Sequence, residues 1–457
     1  MSTSRRDFLK GSGLVVMAGA GGYLGFDQFV RGEGDPASPV KANEDRQKAT
    51  IVTIFLRGGC DGMHVFVPVG DPLYYQYRKN IALRVNATKG AFKGEKGVVQ
   101  LGKSDYWGMN ANMAPLLPLI DKGTVIPILN VGSPNGTRSH FSAQDNMERA
   151  CPGPTSLTTG WLNRYLEATK KPYDAPLRGL SAQNLVPRAL RGDYPVLAGN
   201  NRTEEMDLFA DLYSKKNLVN MDVRDGGGDT KGASLDTLTA PKEGPHGLSS
   251  DMTRDIIAQS GANAVERLKA LDQVEGTQND AEYPQGGLGN QLRTIARVIK
   301  SNVGLEVAQA DYGGWDTHSG QGSGNGPMSQ RLGHLSECLV AFNQDLGARM
   351  DRVLVLVMTE FGRTIQENGS NGTDHGRGSM MIAMGNMLNG GKLYGTWNGL
   401  KDTEGGRFQP VHTDFRAVFA ESLNKLFHVD PMKLKMFPDW NPTAHSLLEF
   451  AKPVTVA

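Results

Sequence analysis

Acidic and imidazole side chains recur beside short apolar runs in this chain. Asp61 follows the run Ile51–Leu56, and Asp311, Asp316 and His318 follow Gly304–Ala310. Glu360 follows Arg352–Met358, while Asp374 and His375 stand just before Met380–Met384. Brought together with no cysteine among them, Asp61, Asp316, His318, Glu360, Asp374 and His375 suit a divalent metal ion: Zn, Mn, Mg or Ca. Two such ions about 4 Å apart would clamp the attacking and leaving oxygens of a phosphoryl or sulfuryl transfer. Singly, each residue has an ordinary role, because an Asp after a strand often forms a turn or caps a helix. Their repetition beside nearly every run is what argues for a shared site.

A second group carries a different chemistry. Thr137-Arg138-Ser139-His140-Phe141 follows the apolar run Thr124–Val131 and opens an expected helix through Met147 and Arg149. A hydroxyl at a helix start sits where the dipole and free N–H groups would hold an oxyanion. Ser139 is therefore a candidate nucleophile, activated by a metal or by His140, with Arg138 beside it. The alternative is that Ser139 only caps the helix. Arg57, Arg138, Arg363 and Arg377 flank the same runs, and a planar guanidinium suits a tetrahedral anion. No phosphate-cradling P-loop, dinucleotide fingerprint or Gly-x-Ser-x-Gly elbow follows a run, so nucleotide cofactors and ordinary serine esterase chemistry are not expected.

The elements that must position these residues read as strands and helices in alternation. The four unbroken apolar runs, with Met380–Met384 as a fifth, are strand-length and lack polar alternation, as in a parallel sheet covered on both faces. Leu332, Leu335, Leu339, Phe342 and Leu346 mark one amphipathic helix, and Ser249 to about Val274 another. The expected fold is α/β: a doubly wound, mostly parallel sheet flanked by helices, with its ligand site at the carboxyl ends of the strands. Residues 222–247, rich in Gly, Pro, Ser and Thr, read as a polar insertion or lid, and 49–457 as one large domain around it.

The N-terminus reads as an export signal over residues 1–30: Arg5-Arg6 precede a Gly/Ala-rich apolar stretch, the pattern of twin-arginine translocation. Residues 31–48 read as a linker. A periplasmic or extracellular protein is expected, with the twin-arginine machinery as a partner and no permanent span beyond an uncleaved signal anchor. Lys+Arg total 49 against Asp+Glu 48, a net charge of +1, so no nucleic-acid partner is implied. Three cysteines, Cys60, Cys151 and Cys338, cannot build a disulfide framework. Hydrophobic residues at 39% leave ample core, and 57 glycines imply many tight turns.

The segments "LRGGCDGMHVFVP", "DPLYYQYR", "RSHFSAQDNMER", "GWLNRYL", "DYGGWDTH", "TEFGRT" and "GTDHGRGS" run in order across about residues 51–420. Together they resemble the bacterial domain of unknown function 1501 family, whose members often carry twin-arginine signals. That family looks like a remote branch of the alkaline phosphatase and sulfatase superfamily. The resemblance implies an alkaline-phosphatase-like core, Asp61 as an early metal ligand and Ser139 at the nucleophile position. It implies Asp316 and His318 as the first late metal cluster, Glu360 as the next acid and His375 as the final histidine. Glu360-Phe361 stands where the superfamily usually has Asp-His, and no sulfatase-type Cys/Ser-x-Pro-x-Arg motif is present.

Two functions remain open. One is an exported metal-dependent hydrolase of phosphate or sulfate esters, with arginines holding the anion. The other is a non-catalytic exported protein on the same fold, binding metal, carbohydrate or a protein partner.

Overall fold

The computed structural model describes residues 48–85, 95–153, 156–171, 175, 177–199, 273–274, 276–440 and 448–454. The export signal, nearly all of the 31–48 linker, the 222–247 insertion and all but the end of the Ser249–Val274 stretch lie outside the described residues.

Eleven strands form among the described residues. They are β1 (Thr50–Leu56), β2 (Phe66–Val67), β3 (Val98–Gln100), β4 (Gly108–Asn110), β5 (Val125–Gly132) and β6 (Gly179–Ser181). β7 (Leu197–Ala198), β8 (Val307–Tyr312), β9 (Val353–Met358), β10 (Ser379–Met384) and β11 (Thr413–Asp414) complete the set. Eight of them make one sheet in the order β11-β5-β10-β9-β1-β8-β6-β7, and β2, β4 and β3 make a small second sheet. The principal helices are α1 (His140–Arg149), α2 (Trp161–Ala168), α3 (Gly287–Lys300), α4 (Pro327–Leu346) and α5 (Phe415–Phe427). No described helix is long and apolar enough to cross a membrane.

The large sheet is covered on both faces, which is why its strands read as unbroken apolar runs. Successive side chains of a strand point to opposite faces. Val52, Ile54 and Leu56 of β1 pack with Leu292 and Ile295 of α3 and Leu332, Leu335 and Leu339 of α4. Ile51 and Phe55 pack on the other side, with Trp161 and Leu162 of α2 and Phe415 and Phe419 of α5. β9 divides the same way, Val353, Val355 and Val357 one side and Leu354, Leu356 and Met358 the other. Each fully buried side chain of this size contributes at most about 1.5–3 kcal/mol. α4 starts with Pro327 in its first turn, where a missing N–H costs nothing, and stops at Gly347, whose φ is 52°.

β1 pairs in parallel with both β8 and β9, and β6 in parallel with β8. The fifth apolar run departs from the parallel expectation. β10 runs antiparallel to both β9 and β5. Reversal has a positional consequence: the loop before β10 reaches the same sheet edge as the loops after β1, β5, β8 and β9. Asp374 and His375 arrive at the common edge for that reason.

Candidate functional site

At that edge a single buried guanidinium ties the loops together. Arg363, 1% exposed, lies just past β9. It donates to the carbonyls of Gly58 and of Gly59 (2.6 Å) after β1, of Trp315 (3.0 Å) after β8 and of Thr373 (3.0 Å) before β10. Its Nη2 also donates to Asp316 Oδ1 at 2.7 Å. The loops approach closely enough to require glycine. A Cβ on Gly58, whose φ is 124°, would lie 2.5 Å from the Asp316 amide nitrogen, and one on Gly376 would lie 2.4 Å from the Arg363 backbone.

On this frame sit three imidazoles around one carboxylate. His140, the first residue of α1, places Nε2 3.4 Å from Asp316 Oδ2. His318 Nε2 is 3.1 Å and His375 Nε2 3.3 Å from Asp316 Oδ1. In each ring the other nitrogen is occupied. His140 Nδ1 is 2.8 Å from Glu360 Oε1, His318 Nδ1 2.9 Å from Asp374 Oδ1, and His375 Nδ1 2.7 Å from the Arg138 carbonyl. Carboxylates and carbonyls only accept there, so each Nδ1 carries a proton, and in a neutral ring the Nε2 then keeps its lone pair. His318 Nε2 and His375 Nε2 face one another at 2.9 Å, and two lone pairs at that distance repel unless a proton or cation lies between them. His140 Nε2 is buried and has no hydrogen-bond partner among the described residues; its 3.4 Å approach to Asp316 lacks hydrogen-bond alignment. His140, Asp316 and His375 thus bring ligand-type atoms within 4.8 Å of one another, and His318 Nε2 lies beside that group against His375. Imidazole ligation with the second ring nitrogen held by an acceptor is the usual arrangement at transition-metal sites.

The local charges follow the same geometry. The Glu360 hydrogen bond, with the charge of Asp316, raises His140 above the ordinary imidazole range. Partial burial lowers His375. Burial would raise Asp316, but the Arg363 bond and charge, with His140 and His318, hold it low. Burial would likewise raise Glu360, and bonds from His140, Gln144 and backbone N–H groups hold it low. The His318 bond, with Asn368, lowers Asp374.

Of the residues expected to share a metal, Asp316, His318 and His375 come together. Three others take different places. Asp61 is 1% exposed and committed to Arg78, whose guanidinium reaches its two oxygens at 2.6 and 3.0 Å, while Gln321 donates at 2.8 Å. Its lone pairs are spent within the protein rather than aimed at the histidines. Glu360 Oε1 is shared by His140 Nδ1, the Gly58 N–H at 2.9 Å and Gln144 Nε2 at 2.9 Å, so it orients a ring from behind. Asp374 does the same for His318.

His140, expected beside Ser139 as its activator, has Nδ1 2.8 Å from Glu360 Oε1 and Nε2 3.4 Å from Asp316 Oδ2. Ser139 is the N-cap of α1, exposed, and its side chain makes no capping bond. The arginines divide as well. Arg363 is consumed by the loops, and Arg57 by Asp311 (2.5 Å) and Glu148 (3.1 Å). Arg377 pairs with Glu404 at 3.0 Å. The exposed Arg138 lays its guanidinium over Phe408, 4.8 Å from the ring centroid. Arg78 and Gln321 on Asp61, and Gln144 on Glu360, were invisible in the sequence, since an isolated Arg or Gln carries no spacing signal.

Fold and site define a mixed α/β protein with a histidine–carboxylate cluster at the strand ends of a mostly parallel sheet. The chain belongs to the family described as protein of unknown function (DUF1501), whose model matches residues 48–437. No curated protein matches it.

Proposed function

We propose that the protein is an exported, metal-dependent hydrolase of phosphate or sulfate esters, working at the His140–Asp316–His318–His375 cluster of an alkaline-phosphatase-like core. What carries this reading is the aim of the three imidazoles: every Nδ1 is held by an acceptor, and every Nε2 turns toward Asp316. The donor set, three nitrogens and one carboxylate, fits zinc or a similar transition ion better than Mg or Ca, which prefer oxygen. Bound there, such an ion supplies Lewis-acid chemistry, polarising an ester oxygen and acidifying water.

The chain's own residues prepare the site. Glu360, Asp374 and the Arg138 carbonyl keep the protons on Nδ1, so the Nε2 lone pairs stay available. Arg363 fixes Asp316 and with it the spacing of the rings. Export by the twin-arginine route belongs to the same proposal and rests on Arg5-Arg6 and the apolar stretch after them.

One observation favours a second reading. His318 stands against His375, and were it to join His140, Asp316 and His375 on an ion, the four would fill tetrahedral positions as in closed structural sites. The protein would then hold a metal without turning over an ester. The test is metal analysis of the full chain, followed by aryl phosphate and aryl sulfate assays of metal-loaded and chelated protein. About one equivalent of transition metal with chelator-sensitive turnover supports the hydrolase. Metal without turnover supports the second reading, and protein that takes up no metal overturns both.

A further inference from the structure

Among the described residues, two guanidiniums beside the cluster have no acidic partner, and they share one aromatic ring. The Arg138 Cζ lies 4.8 Å and the Arg407 Cζ 5.6 Å from the Phe408 centroid, and both arginines are exposed. Neither side chain donates a hydrogen bond within the described residues, whereas Arg57, Arg78, Arg178, Arg363, Arg377 and Arg416 are all engaged with carboxylates. Two like charges on one ring repel, and attraction to the ring face offsets only part of that at an exposed position.

The patch is built onto the cluster. The Arg138 carbonyl holds His375 Nδ1 at 2.7 Å. The Arg407 carbonyl accepts from the Ile365 N–H at 2.9 Å, two residues past Arg363, and Phe408 bridges Thr364. The Arg407 charge is felt at Asp374, which holds His318. Among the described residues no carboxylate pairs with either guanidinium, and Glu404, on the turn that carries Arg407, is taken by Arg377.

The geometry points to an anion-recognition subsite: Arg138 and Arg407, mounted on Phe408, bind a phosphate or sulfate group of the substrate and present it to the histidine cluster. Planar guanidiniums donate two bonds to such an oxyanion, and a single tetrahedral anion between them relieves their mutual repulsion. Only the delivery of the anion to a reacting centre rests on the hydrolase reading; binding of the anion does not.

The experiment titrates inorganic phosphate and, separately, inorganic sulfate into the chelated full chain by calorimetry at low ionic strength, with chloride as the reference salt. Saturable binding is expected, weakened on the order of tenfold in Arg138→Gln or Arg407→Gln and further in the double variant. Arg331→Gln, which removes a guanidinium over Trp315, should leave it unchanged. Preference for one anion identifies the ester class. Absence of saturable binding by the wild type, or equal binding by the double variant, overturns the subsite. Chelated protein keeps this outcome separate from the hydrolase test: anion binding lost on substitution stands even where no ester is turned over, and turnover without it sinks the subsite alone.

Discussion

Two carboxylate-centred networks occupy the same sheet edge and behave in opposite ways. Asp61, past β1, is closed in: Arg78 binds it through two nitrogens, and Gln321 joins it to the hydroxyls of Thr317 (2.8 Å) and Thr373 (2.7 Å). Asp316, past β8, has a side chain 45% exposed and is ringed by imidazoles. Both are strand-end aspartates beside a buried arginine. The difference lies in their other neighbours. Around Asp61 every partner donates, so its lone pairs are saturated. Around Asp316 the ring protons are drawn away to the far side, so lone pairs accumulate instead of being quenched. Position at the carboxyl ends of strands therefore does not by itself make a site. Converging acceptors are what set the Asp316 cluster apart from Asp61.

The contrast is broken most forcefully on the closed side. Arg78→Met leaves Asp61 buried without its counter-charge and should cost about 3–5 kcal/mol of unfolding free energy by denaturant titration. Metal affinity of the folded protein should be unchanged, and a variant with normal stability but no metal would return Asp61 to the ligand set. Acid should reveal the same pair. Burial would raise the Asp61 carboxyl, but Arg78, His64 and Gln321 hold it below its ordinary 3.8. A depressed folded value means its contribution is fully present above about pH 4 and is lost as pH falls through the folded value. In Asp61→Asn that portion of the acid dependence should vanish.

On the open side the expected effect is smaller and of another kind. Glu360→Gln keeps the shape but removes the charge that holds the His140 proton on Nδ1. Metal affinity should drop about 10–100-fold, as for outer partners of metal-binding histidines. The melting temperature of the metal-free protein should shift little, because Gln can still accept from the Gly58 N–H. Competition with a chromogenic chelator reads the affinity. An unchanged value would mean that His140 does not take part.

Much of this edge was legible in the sequence. β1, β5, β8 and β9 stand out because strands covered on both faces must be apolar throughout, and α4 because Leu332, Leu335, Leu339, Phe342 and Leu346 repeat at helical spacing. The direction of β10 was not legible, since five apolar residues look alike read either way. β6, β7 and β11 are too short to show a period. Asp316, His318 and His375 were placed at one edge through their loops, and Asp61 and Glu360 have the same kind of sequence context. Only the partners across the fold, Arg78 for one and Gln144 for the other, distinguish them, and those pairings are set by tertiary packing.

The smallest expected effect belongs to Ser139, which lies beside the open network without joining it. An N-cap serine whose hydroxyl bonds the first turn loses about 1 kcal/mol on replacement by alanine. Here that bond is not made, and the side chain is exposed, so Ser139→Ala should change stability by no more than a few tenths of a kcal/mol. Metal affinity should be unaltered, because His140 is aimed by Glu360 and not by its neighbour in the chain. The discriminating measurement is turnover of whichever ester the wild type hydrolyses. Should the rate survive the substitution, attack does not come from Ser139, and the cluster works without a covalent serine intermediate. Loss of at least a hundredfold in kcat, with stability and metal intact, would instead make this exposed hydroxyl the nucleophile and require a base other than His140.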